Sequence, residues 1–224
     1  MIRAVCFDLD GTLGGYAGDF QGLIALLRAE LMLQACDMNR FSALLTEELR
    51  RDGALSLEGV MAGVLERLGQ RAPRDLSELA AEAVGVYASE VRPAPGAEAL
   101  LRRLSGAGIG LALLSNGPLD MQRAALTALG FERYFRVVLI SGDPDVAARK
   151  PAPRIFSLAC TGLQTAPGET LMVGDNLKAD VEGALDHGMQ AVLIGSDRDG
   201  ESAGVLAVGG LLPLDTLLRT RFGL

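Results

Sequence analysis

The chain has 224 residues, of which 49% are hydrophobic and 22% charged, and its formal net charge is −7. This length fits one large domain or one core domain with a smaller insertion, and the apolar fraction is too high for a disordered chain. The excess of acidic side chains repels polyanions, which argues against nucleic acid or an anionic membrane as a partner.

The first predicted strand, residues 2–8, is a short apolar run that leads into Asp8, Leu9 and Asp10. Side chains two residues apart on an extended chain point to the same side, so the carboxylates of Asp8 and Asp10 are expected to converge. Two such carboxylates repel each other unless a proton or a cation neutralises them, and oxygen ligands of this kind suit Mg²⁺. A solvated acidic turn is the alternative interpretation.

Residues 16–92 lack a convincing strand and show helical periodicity instead. Asp75 with Glu78 is the pairing expected at the N-terminus of the last of these helices. We therefore predict a helical insertion, 16–92, in a core built from 1–15 and 93–224. The predicted helices of the insertion cover 19–35, 40–51, 56–68 and 75–90.

After residue 92, short apolar strands alternate with stretches of helical period, which is typical of a parallel sheet covered on both faces. We predict an α/β fold with a doubly wound parallel sheet. The glycine-rich tail, 195–224, ends in a helix-like piece at 215–221. The later strands are predicted at 109–114, 136–140, 170–173 and 191–194, the last leading into Gly195 and Ser196, and the helices at 96–107, 119–130, 153–161 and 178–187.

Polar residues cluster where the later strands end, and ligands of parallel α/β sheets bind at that edge. Ser115 and Asn116 follow one strand, and Asp175 follows another, with Asp180 one helical turn later. Lys150 lies in a loop that neighbouring prolines make rigid. Each feature alone has an ordinary explanation, as a turn, a solvated lysine or an acid at a helix start. The order and spacing of all these features together have no such ordinary explanation.

In order and spacing these motifs resemble those of the haloacid dehalogenase-like superfamily, and its phosphatase branch in particular. The resemblance covers essentially the whole core, 1–15 and 93–224, and implies a Rossmann-like sheet with a small all-α cap after the first motif. The chain departs from the family at Gly14, Gly15 and Tyr16, where relatives commonly carry Asp or Ser. The matching segments are 7–13, 114–117, 149–156 and 173–180.

The resemblance implies a catalytic and metal-binding role for the acidic residues. Asp8 is expected to be the nucleophile that forms an aspartyl-phosphate, and Asp10 the general acid and then the base. Lys150 is expected to offset the charge of the nucleophile and the phosphate. The implied cofactor is Mg²⁺, held by Asp8, Asp10 and Asp175 together with the carbonyl of Leu9.

The same resemblance implies how the phosphate is held. Ser115, Asn116 and Lys150 are expected to bind the phosphoryl oxygens. Thr12 supports the first motif, and Asp180 orients Lys150 or a water on the metal. Phosphoryl transfer asks mainly for positioning and charge neutralisation, which this set of residues provides.

Asp10 and Asp175 favour the Mg²⁺-dependent phosphatase over a 2-haloacid dehalogenase-type hydrolase, which usually has an aromatic residue in place of Asp10. Residues 16–92 contain neither lysine nor histidine, which argues against phosphonate cleavage and makes a phosphomutase less favoured. We predict hydrolysis of a small phosphomonoester, with nucleoside monophosphates, phosphoglycolate and sugar phosphates as candidates. A non-catalytic phospho-aspartate regulatory or binding module is the alternative from another class.

Several residues receive no catalytic role from the sequence. The single histidine, His187, is expected on a helix face, and Arg28, Arg50 and Arg51 are expected to be solvated rather than to contact substrate. The three cysteines are scattered along the chain, and the N-terminal apolar run is too short for a signal peptide. We therefore expect a reduced, cytoplasmic protein. The expected partner is a small phosphorylated metabolite, with no nucleic-acid or membrane partner, and the expected state is a monomer or homodimer.

Overall fold

The computed structural model describes residues 1–195, 200–202 and 205–224. No helix in those ranges is both long and apolar enough to span a membrane. The strands are β1 (Ala4–Phe7), β2 (Gly14–Tyr16), β3 (Val91–Pro93), β4 (Gly110–Ser115), β5 (Val137–Ile140), β6 (Thr170–Gly174), β7 (Gln190–Ile194), β8 (Gly200–Ser202) and β9 (Val205–Val208). The α-helices are α1 (Phe20–Glu30), α2 (Met38–Leu49), α3 (Leu57–Leu68), α4 (Leu76–Ser89), α5 (Ala97–Gly106), α6 (Leu119–Leu129), α7 (Pro153–Leu163), α8 (Gly183–Asp186) and α9 (Leu211–Leu217).

The main sheet has seven strands in the order β5-β4-β1-β6-β7-β9-β8. Neighbouring strands from β5 to β9 are parallel, and β8 pairs antiparallel with β9 at the edge. Helices cover both faces, so the predicted Rossmann-like α/β fold is confirmed. Because β1 lies between β4 and β6, the residues that follow it stand at the middle of the carboxyl edge.

Strand β1 is buried along its whole length, and its alternate side chains enter two different cores. Val5 and Phe7 pack into the layer that contains α5, α6 and α9, whereas Ala4 and Cys6 pack into the layer of α7 and α8. A strand covered on both faces needs apolar residues at every position, which explains the continuous apolar run in the sequence. The two layers together hold β1 in one register.

Helices α1 to α4 form a separate bundle around their own core, which includes the fully buried Phe41 and Met61. The bundle joins the sheet domain through β2 and β3, which pair antiparallel. A second connection lies at Leu55, whose N–H donates to the Gly142 carbonyl (2.9 Å) and whose carbonyl accepts from the Leu119 N–H (2.8 Å). These two connections link the backbone of the bundle to that of the core, and side-chain contacts add to them.

The structure corrects the sequence prediction at the insertion and in the tail. Tyr16, Val91 and Arg92 lie in the β2–β3 ribbon, although no strand was predicted in 16–92, because three-residue strands carry too few positions for a period. In the tail β8 and β9 were not predicted, and the final helix begins at Leu211 rather than at 215. The predicted helix 178–187 is a π-helical turn, Leu177–Glu182, followed by α8, and a second π-helical turn, Leu218–Phe222, follows α9. Ser196 lies outside the described residues.

Ser56 caps the N-terminus of α3, since its side-chain oxygen accepts the Gly59 N–H at 3.1 Å. We expect Ser56→Ala to lower the free energy of unfolding by about 1 kcal/mol, because one backbone donor loses its partner. Thermal or urea unfolding followed by circular dichroism measures this. The matched control is Ser42→Ala inside α2, which we expect to be neutral or slightly stabilising because alanine favours a helix interior. Equal losses in the two variants would contradict the capping role.

Candidate active site

Three neighbouring strands deliver the predicted polar residues to one edge of the sheet. Asp8 follows β1, Ser115 ends β4, and Asp175 follows β6. Since β1 pairs with both β4 and β6, Asp8 stands between the other two. Its backbone N–H donates to the Val173 carbonyl at 2.9 Å, which anchors it to β6. The structure therefore brings these predicted site residues together, with Asp8 at the centre.

Lys150 is the cation of this site, and only 4% of it is exposed. Its Nζ lies 2.5 Å from Asp8 Oδ1 and 2.7 Å from Asp180 Oδ1. It also donates to the Leu114 carbonyl at 2.6 Å. One ammonium group is thus shared among three oxygens, which compensates the loss of water around a buried charge.

Asn116 holds the loop that carries Lys150. The Lys150 backbone N–H donates to Asn116 Oδ1 at 2.8 Å, and Asn116 Nδ2 donates to the Lys150 carbonyl at 3.0 Å. The side-chain amide of Asn116 is engaged by the backbone on both sides, so the structure gives it a positioning contact that sequence reasoning missed. Its predicted contact with phosphate stays a prediction.

Asp10 is held by one residue from the core and one from the helical bundle. Gln122 Nε2 donates to Asp10 Oδ2 at 3.0 Å, and the Tyr87 hydroxyl donates to Asp10 Oδ1 at 3.3 Å. The Ser115 hydroxyl donates to Gln122 Oε1 at 2.6 Å, which extends the chain to the end of β4. The contact of Tyr87 was not predicted, because a helical pattern does not show which aromatic side chain faces a strand end that is distant in sequence.

Asp8, Asp175 and Asp180 form an acidic cluster in which one oxygen from each lies within 4.8 Å of the others. Gly11 lies against this cluster and has a φ of +83°. A Cβ at this position would overlap the Asp175 carboxylate. An all-oxygen set containing the exposed Asp175 fits Mg²⁺, which keeps several waters and binds through few carboxylates. The structure groups Asp180 rather than Asp10 with Asp8, so the metal-binding role of Asp10 stays a prediction.

The carbonyl of Leu9 closes a tight turn. It accepts the backbone N–H groups of Leu13 at 3.0 Å, Gly14 at 3.1 Å and Thr12 at 3.3 Å. These hydrogen bonds engage the oxygen within the turn, and its predicted metal contact stays a prediction. The side chain of Thr12 is buried, and its Oγ1 has no hydrogen-bond partner among the described residues.

Burial sets the protonation of Asp8. Burial, with a smaller contribution from the charge of Asp180, raises the pKa of Asp8 to about 7 against the lowering effect of Lys150. Burial alone would lower the pKa of Lys150, but Asp8 and Asp180 outweigh it and the pKa is raised. Lys150 therefore stays charged, and a divalent cation beside Asp8 and Asp175 would keep Asp8 ionised at neutral pH.

Burial also raises the pKa of Asp10, although the hydrogen bonds from Gln122 and Tyr87 act in the opposite direction. An acid of this kind holds its proton to higher pH than an exposed aspartic acid does. Asp10 faces a cleft of about 640 Å³ between the bundle and the core. Asp10 is the acidic side chain among the described residues that line this cleft, and its role as general acid and base stays a prediction.

Comparisons with known proteins agree with this arrangement. The family model of haloacid dehalogenase-like hydrolases matches residues 2–188. A phosphoserine phosphatase from Thermus thermophilus is 43% identical over 122 residues, a match that covers 52% of this chain and 47% of that protein. A ribulose-1,5-bisphosphate 5-phosphatase from Halopiger xanaduensis is 31% identical over 213 residues, covering 90% of this chain and 88% of that protein.

A solved structure gives the same result over the full length. The crystal structure of a HAD phosphatase from Thermococcus onnurineus is similar with a TM-score of 0.72 and 27% identity, and the match covers 97% of this chain and 98% of that one. Sequence motifs, fold and site geometry are thus consistent with one assignment. The chain belongs to the haloacid dehalogenase-like hydrolase family.

Proposed function

We propose that this protein is an Mg²⁺-dependent phosphatase that hydrolyses a small phosphomonoester through an aspartyl-phosphate on Asp8. The observation that carries the proposal is the position of Asp8, which belongs to the acidic cluster and pairs with Lys150 at the carboxyl edge of the sheet. The names of its relatives, a phosphoserine phosphatase and a ribulose-1,5-bisphosphate 5-phosphatase, describe proteins that act on small phosphorylated metabolites.

In the first step a carboxylate oxygen of Asp8 bonds to phosphorus, and the bond from phosphorus to the ester oxygen breaks. Asp10 gives its proton to that leaving oxygen, so the alcohol departs neutral. Lys150, at 2.5 Å from Asp8, offsets the negative charge that gathers on the nucleophile and the phosphoryl oxygens. Asp180 holds the ammonium group of Lys150 in place from its other side.

In the second step water attacks the phosphorus of the aspartyl-phosphate and Asp10 takes the proton from that water. The bond between phosphorus and the Asp8 oxygen breaks, which releases inorganic phosphate and restores both carboxyl groups. Asp8 and Asp175 would hold Mg²⁺, which supplies charge neutralisation for the two anions that meet in the first step. Ser115 stands at the end of β4, where its hydroxyl can turn from Gln122 to a phosphoryl oxygen.

Asp10 favours phosphate-ester hydrolysis over dehalogenation. A halide leaves without a proton, whereas an alkoxide leaving group needs an acid beside it. Asp10 lines the cleft and its pKa is raised, which suits that task. We also propose that residues 16–92 act as a cap over the 1–15 and 93–224 core, since Tyr87 of the bundle contacts Asp10 directly.

The nucleophile is tested by Asp8→Asn. An amide cannot attack phosphorus, so we expect turnover of a generic aryl phosphate to fall by about a thousandfold or more. Asp186→Asn, the same exchange at an exposed position in α8, is the matched control and should keep full activity. Full activity of Asp8→Asn, in a protein whose circular dichroism is unchanged, would show that another group attacks.

The metal is tested by removal and by titration. After chelation with EDTA we expect turnover to be lost and to return when Mg²⁺ is added. Asp175→Asn should raise the Mg²⁺ concentration for half-maximal activity by about tenfold or more, because one anionic ligand is gone. Activity that persists unchanged through chelation would argue against a metal-dependent reaction.

Tyr87 is tested as a positioning residue for Asp10. Tyr87→Phe removes one hydrogen bond, so we expect kcat to fall about 3–10-fold with little change in KM. This hydrogen bond lowers the pKa of Asp10, so its loss raises that pKa and moves the alkaline limb of the pH–rate profile to higher pH.

The matched control for Tyr87 is Tyr16→Phe. The two rings stack with centroids 5.4 Å apart and line the same cleft, but it is the Tyr87 hydroxyl that reaches Asp10. We expect Tyr16→Phe to leave the pH profile unchanged. An identical profile for Tyr87→Phe and the unaltered protein would exclude the positioning role.

A further inference from the structure

Two arginine side chains line the cleft from opposite sides of the boundary between bundle and core. Arg50 directly follows α2 in the bundle, and Arg149 precedes Lys150 in the core loop. Arg149 Nη1 donates to the carbonyl of Leu49, the last residue of α2, at 3.1 Å. Both arginines are among the residues that line the same cleft of about 640 Å³ as Asp10, in a protein whose net charge is −7.

Neither Arg50 nor Arg149 forms an ion pair within 4 Å in the ranges that the structure describes, although acidic side chains outnumber basic ones in the chain. Their neighbours differ in this respect. Arg51 pairs with Glu48 at 3.3 Å, and Arg92, which also lines the cleft, pairs with Glu90 at 3.3 Å. Among the described residues no carboxylate is in direct contact with either arginine, although the charge of Asp52 acts on Arg149.

The two charges also repel each other. Arg149 is half-buried, and burial together with the charge of Arg50 lowers its pKa, while Asp52 acts in the opposite direction. Arg50 is exposed and Arg149 is half-buried, and an anion that joins both would offset the repulsion between them. Arginine suits such an anion, because its planar fork donates two parallel hydrogen bonds to a carboxylate or a phosphate group.

These arginines are separate from the cation that serves the reaction. Lys150 is buried against Asp8 and Asp180 below the cleft, whereas Arg50 and Arg149 are among the residues that line it. Apolar side chains, including Phe20 and Met121, line other parts of the same cleft. A substrate of moderate size therefore meets one cationic group at the phosphoryl end and a second cationic pair away from it.

We infer that Arg50 and Arg149 bind a second anionic group of the substrate, a carboxylate or a second phosphate that is not the group attacked by Asp8. This inference rests on the proposed phosphatase function and narrows its substrates to phosphomonoesters with two anionic ends. Because one arginine belongs to the bundle and the other to the core, the second anion also ties the two parts together over the substrate. The sequence-based expectation that Arg50 is only solvated is the alternative that the test below decides between.

The test compares substrates that differ only in the second anion. The carboxylate pair is 3-phosphoglycerate and glycerol 3-phosphate, and the phosphate pair is fructose 1,6-bisphosphate and fructose 6-phosphate. In at least one pair we expect the unaltered protein to have a kcat/KM about tenfold or more higher for the member with two anionic ends. The pair that shows the difference identifies the second anion as carboxylate or phosphate.

Arg50→Gln and Arg149→Gln should each remove most of that difference, with the singly anionic member changed by less than about threefold. Arg51→Gln, the same charge change one residue from Arg50, should leave the difference intact because Arg51 pairs with Glu48. Equal losses on both members of a pair in Arg50→Gln, or no preference in the unaltered protein, would overturn the inference. If Arg149→Gln disturbs the adjacent Lys150, the result for Arg50→Gln alone decides the test.

A binding measurement separates this inference from the proposed function. Calorimetric titration of the Asp8→Asn protein with the same four compounds needs no turnover. Tighter binding of the doubly anionic members, lost in the additional Arg50→Gln exchange, supports the arginine site even where no ester is hydrolysed. Absence of turnover with every ester, an aryl phosphate included, would count against the phosphatase, whereas equal binding of both members of each pair would count against the arginine site.

Discussion

The ammonium group of Lys150, buried among the oxygens of Asp8, Asp180 and Leu114, is the interaction on which the rest of the site depends. A buried charge is tolerated only when its partners are held in place, because each ion loses several kcal/mol of hydration. The partners here come from three separate parts of the chain, at the ends of β1 and β4 and in the π-helical turn after β6. Asn116 fixes the backbone of Lys150 itself, so the ion pair forms only in the completed sheet.

This dependence explains which site residues the sequence could predict. Asp8, Ser115 and Asp175 are recognisable because each directly ends or follows an apolar strand, and parallel strands bring such positions to one edge. The contact of Tyr87 with Asp10 spans 77 positions in the sequence, and it depends on how the bundle packs against α6. The orientation of the Leu9 carbonyl depends on the local turn, which residue types alone do not specify.

The fold was predictable to a similar extent, and for related reasons. Strands buried on both faces and helices of eleven or more residues carry enough apolar positions to show their period, as α2 and α3 do. The three-residue strands β2 and β3 carry too few, and they pair through backbone hydrogen bonds rather than through an apolar pattern. The helices of the bundle could therefore be predicted from the sequence, whereas the β2–β3 ribbon that attaches the bundle to the core could not.

Strand β1 has four residues, and its alternate side chains belong to two different cores. A slip of one residue would exchange Phe7 with Cys6 between the layers, so the register tolerates no adjustment. The distance between Asp8 and Lys150 is consequently a property of the whole sheet. Arg50, by contrast, directly follows α2, is exposed and lines the cleft, so this register does not fix it. On its inferred role, single exchanges at that position would change the preference for a substrate and leave the geometry of Asp8 and Lys150 intact.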